Sequence, residues 1–97
     1  MKHHLFGYSV EGPLHLALKA EVTQYLVAKG YKVSLEKPVQ IADCWYIPDI
    51  EAKKETELLA VECGFCKDSK LELLRTYYPL VLHIRNSKEV LNCLANI

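Results

Sequence analysis

The chain has 97 residues, of which 51% are hydrophobic and 25% are charged, and its formal net charge is zero. This length and composition predict one globular domain over residues 1–97 with a core of modest size. A zero net charge argues against a strong non-specific polyanion binder, which would be basic overall, but it is compatible with a local basic patch.

The first predicted element is a long helix over residues 13–29. Pro13 stands in the first turn, where its missing N–H is no loss, and Gly30 follows the last turn as a stop signal. Spacings of three and four residues predict that one helix face packs on the core. The residues on that face are Leu14, Leu18, Val22, Tyr25 and Leu26.

Three strands are predicted next. Residues 31–36 alternate apolar and polar side chains, which indicates a half-buried strand. Residues 44–52 form the second strand, in which Pro48 predicts an edge, a bulge or a bend. The polar residues 53–57 predict a hairpin turn that leads to residues 58–63, a short apolar run typical of a strand buried on both faces.

The last third of the chain predicts a helix, a strand and a helix. Ser69 and Glu72 have the spacing of a capping box, so a helix is expected to begin there and to end near Tyr77. Residues 80–84 are predicted to form a buried strand, and Ser87 is the expected N-cap of the last helix. The inward residues of that helix are expected to be Val90, Leu91 and Leu94.

The element order αβββαβα therefore predicts an α/β fold. The first three strands are expected to form an antiparallel meander, and the strand–helix–strand unit adds a parallel crossover strand. The result is a mixed four-stranded sheet flanked by helices.

Two acidic residues stand where this sheet should be largely apolar. Asp49 follows Pro48 in the second strand, and Glu62 interrupts the apolar third strand. A charge beside a core costs several kcal/mol unless a partner offsets it. A divalent cation is one such partner, because hard cations prefer oxygen ligands. A proline followed by aspartate is also a common turn signature, so a structural role for Asp49 is the simpler alternative.

The element order resembles the core of the PD-(D/E)XK nucleases. Pro48-Asp49 is similar to the first motif of that superfamily, and Glu62-Cys63-Gly64 is similar to the second. The resemblance covers about residues 14–84 and implies a restriction-endonuclease-like core. It also implies a metal-dependent nuclease that hydrolyses phosphodiester bonds, with DNA as the expected partner.

A subgroup of these nucleases, the competence CoiA-like and archaeal nuclease-like proteins, resembles the chain further. The subgroup carries a His-x3-Lys on the first helix, here His15 and Lys19, and an acidic residue that closes the first strand, here Glu36. The resemblance implies that His15 contacts phosphate or moves a proton. It implies that Glu36 reaches the metal through a water or binds a second ion.

The implied metal is Mg²⁺ or Mn²⁺. Its expected protein ligands are the carboxylates of Asp49 and Glu62 and the backbone carbonyl of Cys63, with waters and a phosphate oxygen completing an octahedral shell. Such an ion polarises the phosphate and lowers the pKa of a coordinated water.

The chain departs from the superfamily at the motif lysine, because position 64 is Gly64. That lysine normally stabilises developing charge or orients the attacking water. Lys70 in the next helix is the preferred replacement and Lys19 is the second choice. Lys67 in the connecting loop is a third cation expected near the nucleic acid.

Two alternatives remain at the level of the sequence. Gly64 favours a catalytically inactive module that binds nucleic acid or supports an assembly on the same fold. Cys63 and Cys66 form a C-x-x-C, which is compatible with a thiol redox or metal-clip protein. Structural thiols are the simpler interpretation of these two cysteines.

The longest apolar run is far short of the roughly 20 residues that span a bilayer. The first six residues lack the long apolar stretch of a secretory signal. A cytoplasmic protein without a membrane partner is therefore expected. A homodimer is expected because the core is small.

Overall fold

The computed structural model describes residues 12–97. In this part of the chain the helices are α1 (Pro13–Ala28), α2 (Asp68–Tyr77) and α3 (Val90–Leu94), and a 3-10 helix (Ser87–Glu89) precedes α3. The strands are β1 (Lys32–Leu35), β2 (Val39–Ile41), β3 (Cys44–Tyr46), β4 (Ile50–Lys54), β5 (Glu57–Cys63) and β6 (Leu80–Ile84).

Four strands form a mixed sheet in the order β1-β4-β5-β6. The pairs β1–β4 and β4–β5 are antiparallel, and the pair β5–β6 is parallel. The prediction of an α/β fold with a mixed four-stranded sheet is therefore confirmed. Helix α2 makes the crossover between the parallel strands.

The predicted second strand, residues 44–52, is wrong as a single element. Its first part, β3, pairs with β2 in a separate two-stranded sheet, and only its second part, β4, belongs to the main sheet. Pro48 lies in the break between them, where its missing N–H interrupts no ladder. Strand β2 is not among the predicted elements, so the observed order contains one extra hairpin, β2–β3, between the first and second strands of the meander, β1 and β4.

Each face of the main sheet has its own hydrophobic core. One core packs α1 and α3 on the sheet and includes Val22, Leu26, Val61 and Ile84. The other packs α2 and the β2–β3 hairpin on the opposite face; its members are Val39, Ile41, Ala60, Cys66, Leu71, Leu74, Tyr78 and Val81. The sheet is thus covered on both faces by structure from different parts of the chain.

Helix α1 matches its predicted range within one residue, but its buried face is shorter than predicted. Leu18, Val22 and Leu26 are buried, whereas Leu14 is 87% exposed. Leu14 lies in the first turn, which extends beyond the edge of the main core. The prediction that Leu14 packs inward is therefore wrong.

The caps of the two later helices also differ from the predictions. Helix α2 begins at Asp68 after Lys67, and no side chain caps its start, so Ser69 is not an N-cap. Before α3, the side chain of Asn86 accepts a hydrogen bond from the Lys88 N–H, whereas Ser87 had been the expected cap. In α3, Val90 and Leu94 are buried as expected, but Leu91 is 64% exposed.

Within residues 12–97, no helix is both long enough and apolar enough to cross a bilayer. The first six residues, whose sequence bears on a secretory signal, lie outside the described part of the chain.

Candidate functional site

Strand pairing places Asp49 beside Glu62. Ile50, the first residue of β4, is opposite Val61 in the antiparallel ladder, so the residues before and after them meet at one end of the sheet. The Asp49 N–H donates to Oε2 of Glu62 at 2.9 Å, and the Cys63 N–H donates to Oδ2 of Asp49 at 2.8 Å. Each carboxylate therefore accepts a hydrogen bond from the backbone of the opposing segment.

Lys70 completes this arrangement from the other side. Its Nζ lies 3.0 Å from Oε1 of Glu62 and donates to the Ile47 carbonyl at 3.1 Å. The side chain of Glu62 is 3% exposed and that of Lys70 is 17% exposed, so this ion pair is largely shielded from water. Lys70 is the third residue of α2, in the first turn, and its side chain reaches back over the end of the sheet.

Burial dominates the electrostatics of Glu62. Removal from water raises the pKa of this carboxyl above its usual value, and the nearby charge of Asp49 raises it further. The Lys70 ammonium and the Asp49 N–H oppose that rise but do not cancel it. The ionised form of Glu62 is therefore costly here, and added positive charge near it would be stabilising.

His15 approaches the two carboxylates from α1. Its Nε2 lies 3.5 Å from Oδ1 of Asp49. This distance is longer than the contacts made by the other three oxygens of the pair, which range from 2.8 to 3.0 Å. Oδ1 of Asp49 is thus the carboxylate oxygen that is held least tightly.

The conformation of Gly64 accounts for the absence of a lysine at that position. Gly64 has φ of +79°, and a Cβ built there would lie 3.4 Å from Nδ1 of His15. A side chain at position 64 would carry the strain of the left-handed region, and its Cβ would be in van der Waals contact with the imidazole. A lysine at position 64 is therefore disfavoured by the backbone conformation.

Lys19 and Glu36 form a second ion pair. Lys19 Nζ lies 3.7 Å from Oε2 of Glu36, with the lysine buried in α1 and the glutamate side chain 56% exposed. Glu36 follows β1 with φ of +56°. Lys67 is exposed at the start of α2. The structure thus brings His15 and Lys70 to the Asp49–Glu62 pair, joins Lys19 to Glu36, and leaves Lys67 at the surface.

His83 is a further neighbour of the site, and it is not among the residues predicted from the sequence. It is the parallel-strand partner of Glu62, and its Nε2 makes a hydrogen bond to the Gly64 carbonyl. Because a carbonyl only accepts, Nε2 must carry the proton. The Gly64 N–H donates to the Ile84 carbonyl at 2.8 Å, so β6 holds both backbone groups of this glycine. The only signal in the sequence was a histidine inside an apolar strand.

The two cysteines of the C-x-x-C motif pack in different cores. Cys63 belongs to the core under α1, and Cys66 belongs to the core under α2. Neither is in a disulfide, nor are Cys44 and Cys93. Burial and the nearby Glu62 charge raise the pKa of Cys66 to about 12. Burial of the two thiols in separate cores is what the structural interpretation predicts.

Alkylation of the native protein with iodoacetamide at pH 8 is expected to label the exposed Cys44 first. Cys63 and Cys66 should be labelled only on unfolding, because both are buried. A thiol with a pKa of about 12 is almost entirely protonated at pH 8, and the thiolate is the reactive form. Mass spectrometry of peptides over time measures the order. Rapid labelling of Cys66, or a disulfide between Cys63 and Cys66, would contradict this assignment.

The fit of this site to a divalent ion rests on the two carboxylates. Among residues 12–97, no group of three or more histidine, cysteine, aspartate or glutamate side chains is placed to hold a metal. Mg²⁺ commonly uses only one or two protein carboxylates and takes its remaining ligands from water and substrate phosphate. Asp49 and Glu62, with the loosely held Oδ1 of Asp49, are compatible with that mode.

Comparison with known proteins found no family model that matches the chain and no curated protein that matches it.

Proposed function

We propose that this chain is a metal-dependent nuclease on a restriction-endonuclease-like fold. The supporting observation is Glu62, a carboxylate that is almost fully buried at the end of a central strand, beside Asp49 and paired with Lys70. An apolar residue at position 62 would avoid the desolvation cost. Titratable groups with shifted pKa values and specific charge partners are concentrated at functional sites.

Several features of the fold support the proposal. The superfamily core has a meander followed by a crossover helix and a parallel strand, and the main sheet here has that connectivity. The β2–β3 hairpin is an insertion before β4, and it covers the sheet face opposite α1. The end of the sheet that carries Asp49 and Glu62 therefore lies between α1 and α2.

The residues divide the expected chemistry among them. Asp49 and Glu62 would hold Mg²⁺ or Mn²⁺, with the Cys63 carbonyl as a third protein ligand, and the ion would supply a Lewis acid for the phosphate. Lys70 is placed to donate hydrogen bonds to a negatively charged oxygen near Glu62, which is the role of the missing motif lysine. His15 lies beside Oδ1 of Asp49, where its imidazole can hold or move a proton.

The other predicted residues have supporting roles in this proposal. Glu36 is tied to Lys19 by an ion pair, so Glu36 is an outer acidic group and Lys19 sets its position. Lys67, exposed at the start of α2, is available for phosphate contact. DNA is the proposed substrate, and the cytoplasm is the proposed location of the protein. A homodimer remains a prediction.

One observation favours an inactive nucleic-acid-binding module as the second candidate. Three of the four carboxylate oxygens already accept hydrogen bonds from Lys70 or from backbone N–H groups. A site filled in this way can be a stable charge network with no ion.

Incubation of the purified chain with supercoiled plasmid and with labelled single-stranded DNA separates the two candidates. In Mn²⁺ or Mg²⁺ we expect nicked plasmid or shortened oligonucleotide, and in EDTA we expect neither. If protein shown by circular dichroism to be folded leaves both substrates intact under every metal condition, the enzyme is rejected and the binding module is the remaining candidate.

A further inference from the structure

An open groove of about 700 Å³ adjoins the candidate site. This is within the range of about 300–1,000 Å³ found for small-molecule sites. The groove runs between the start of α1, the loop after β5 and the loop after β6, and both His15 and Gly64 line it. It is therefore continuous with the Asp49–Glu62 site.

The wall formed by the loop after β5 presents an aromatic ring to solvent. Phe65 is 87% exposed, and it stands three residues after Glu62. Leu14 lines the same groove and is also 87% exposed. Because both side chains line one groove, the groove offers apolar surface next to the polar Asp49–Glu62 site.

The wall formed by the loop after β6 is cationic. Arg85 and Lys88 line it, and both are exposed. Glu21 is the acidic residue in the lining, and it accepts a hydrogen bond from Ser87 at 2.7 Å. Glu89 lies nearby, where it accepts from the Arg85 N–H at 2.8 Å and faces the guanidinium at 4.0 Å. Two cations against one acidic residue leave the lining with an excess of one positive charge, without counting His15.

We propose that this groove binds an unpaired segment of nucleic acid, with a base stacked on Phe65 and the backbone phosphates on Arg85 and Lys88. The inference rests on the proposed function, because it assigns the substrate class of the same site. A flat ring beside cations matches a nucleotide, which has an apolar base face and an anionic phosphate. A base can stack on a side chain only when it is not already stacked between the neighbouring base pairs of a duplex, so binding of single strands is favoured over binding of duplex.

Fluorescence anisotropy of labelled oligo(dT) in EDTA tests the groove without cleavage. Wild type should bind oligo(dT) more tightly than a duplex of the same length. Phe65→Ala should weaken oligo(dT) binding by about tenfold, because stacking of bases on aromatic side chains is a main source of affinity for single strands. Phe65→Tyr should retain the affinity.

Trp45→Ala is the matched control, since Trp45 is an exposed aromatic residue in the β2–β3 hairpin and does not line the groove. It should bind as wild type does. Equal affinity of Phe65→Ala and wild type, or a preference for duplex, would overturn the proposal. If the wild-type chain cleaves DNA but Phe65→Ala binds oligo(dT) as tightly as wild type, only this inference is overturned. If binding depends on Phe65 but no metal-dependent cleavage is seen, only the proposed nuclease activity is overturned.

Discussion

Replacing Lys70 with methionine is expected to destabilise the fold by about 3–5 kcal/mol at neutral pH. The substitution keeps the length of the side chain and removes its charge. Glu62 would then be an almost fully buried carboxylate without its ion-pair partner. Because small domains are stable by only about 5–15 kcal/mol, a loss of this size is measurable as a large shift in the urea midpoint.

Lys67→Met is the matched control for that experiment. Lys67 stands three residues earlier, is exposed, and precedes the first turn of the same helix. Its loss should change the free energy of unfolding by less than about 0.5 kcal/mol. Similar effects of the two substitutions would show that the Lys70–Glu62 pair is not the cause.

A double-mutant cycle with Glu62→Gln separates the pair from the individual side chains. Glu62→Gln/Lys70→Met removes both charges, so it should be more stable than the sum of the single changes predicts. A coupling energy of about 2 kcal/mol is expected for groups in direct contact. Additive effects would mean that each residue acts alone.

The pH dependence of Lys70→Met has a definite sign. The folded-state pKa of Glu62 is raised by burial and by Asp49, and removal of the Lys70 charge raises it further. The ionised form of Glu62 is then disfavoured further in the folded state. The loss of unfolding free energy in Lys70→Met, relative to wild type, should be greatest at pH values well above that raised pKa. It should shrink as the pH falls towards the pKa of this glutamate in the unfolded chain, 4.5.

Local sequence patterns were sufficient where an element is long or continuously apolar. The range of α1 follows from its spacing and its flanking proline and glycine, and the central strand β5 follows from its apolar run. The neighbourhood of Asp49 and Glu62 follows from these elements, since an antiparallel hairpin brings the start of one strand to the end of the other.

The parts that were not predicted depend on tertiary contacts. The strand β2 has only three residues and gains its stability from packing of Val39 and Ile41 against α2. Glu51 is a charged residue in a strand, and its burial becomes possible only because Tyr78 and Lys37 reach it. The left-handed conformation of Gly64 depends on contacts from β6, which is 16 or more residues away.

Asp49→Asn is expected to reduce metal-dependent cleavage by more than about a hundredfold. Changes in groups that only support a metal ligand cost about 10–100-fold, so the loss of a ligand charge should cost more. The fold should survive, because the asparagine oxygen can still accept the hydrogen bond from the Cys63 N–H. The rate of oligonucleotide shortening in Mn²⁺, with urea denaturation in parallel, measures both effects.

Glu51→Gln is the variant to compare with Asp49→Asn, because Glu51 is a buried carboxylate that stands only two residues after Asp49. Burial tends to raise its pKa, but hydrogen bonds from Tyr78 and Lys37 outweigh burial and lower the pKa below its usual value. Its charge therefore stabilises the fold above the unfolded pKa, and that stabilisation is lost as the pH falls. Glu51→Gln should lower stability at neutral pH and leave the cleavage rate per folded molecule unchanged. Equal loss of cleavage in both variants would mean that fold integrity, and not the charge of Asp49, limits the activity.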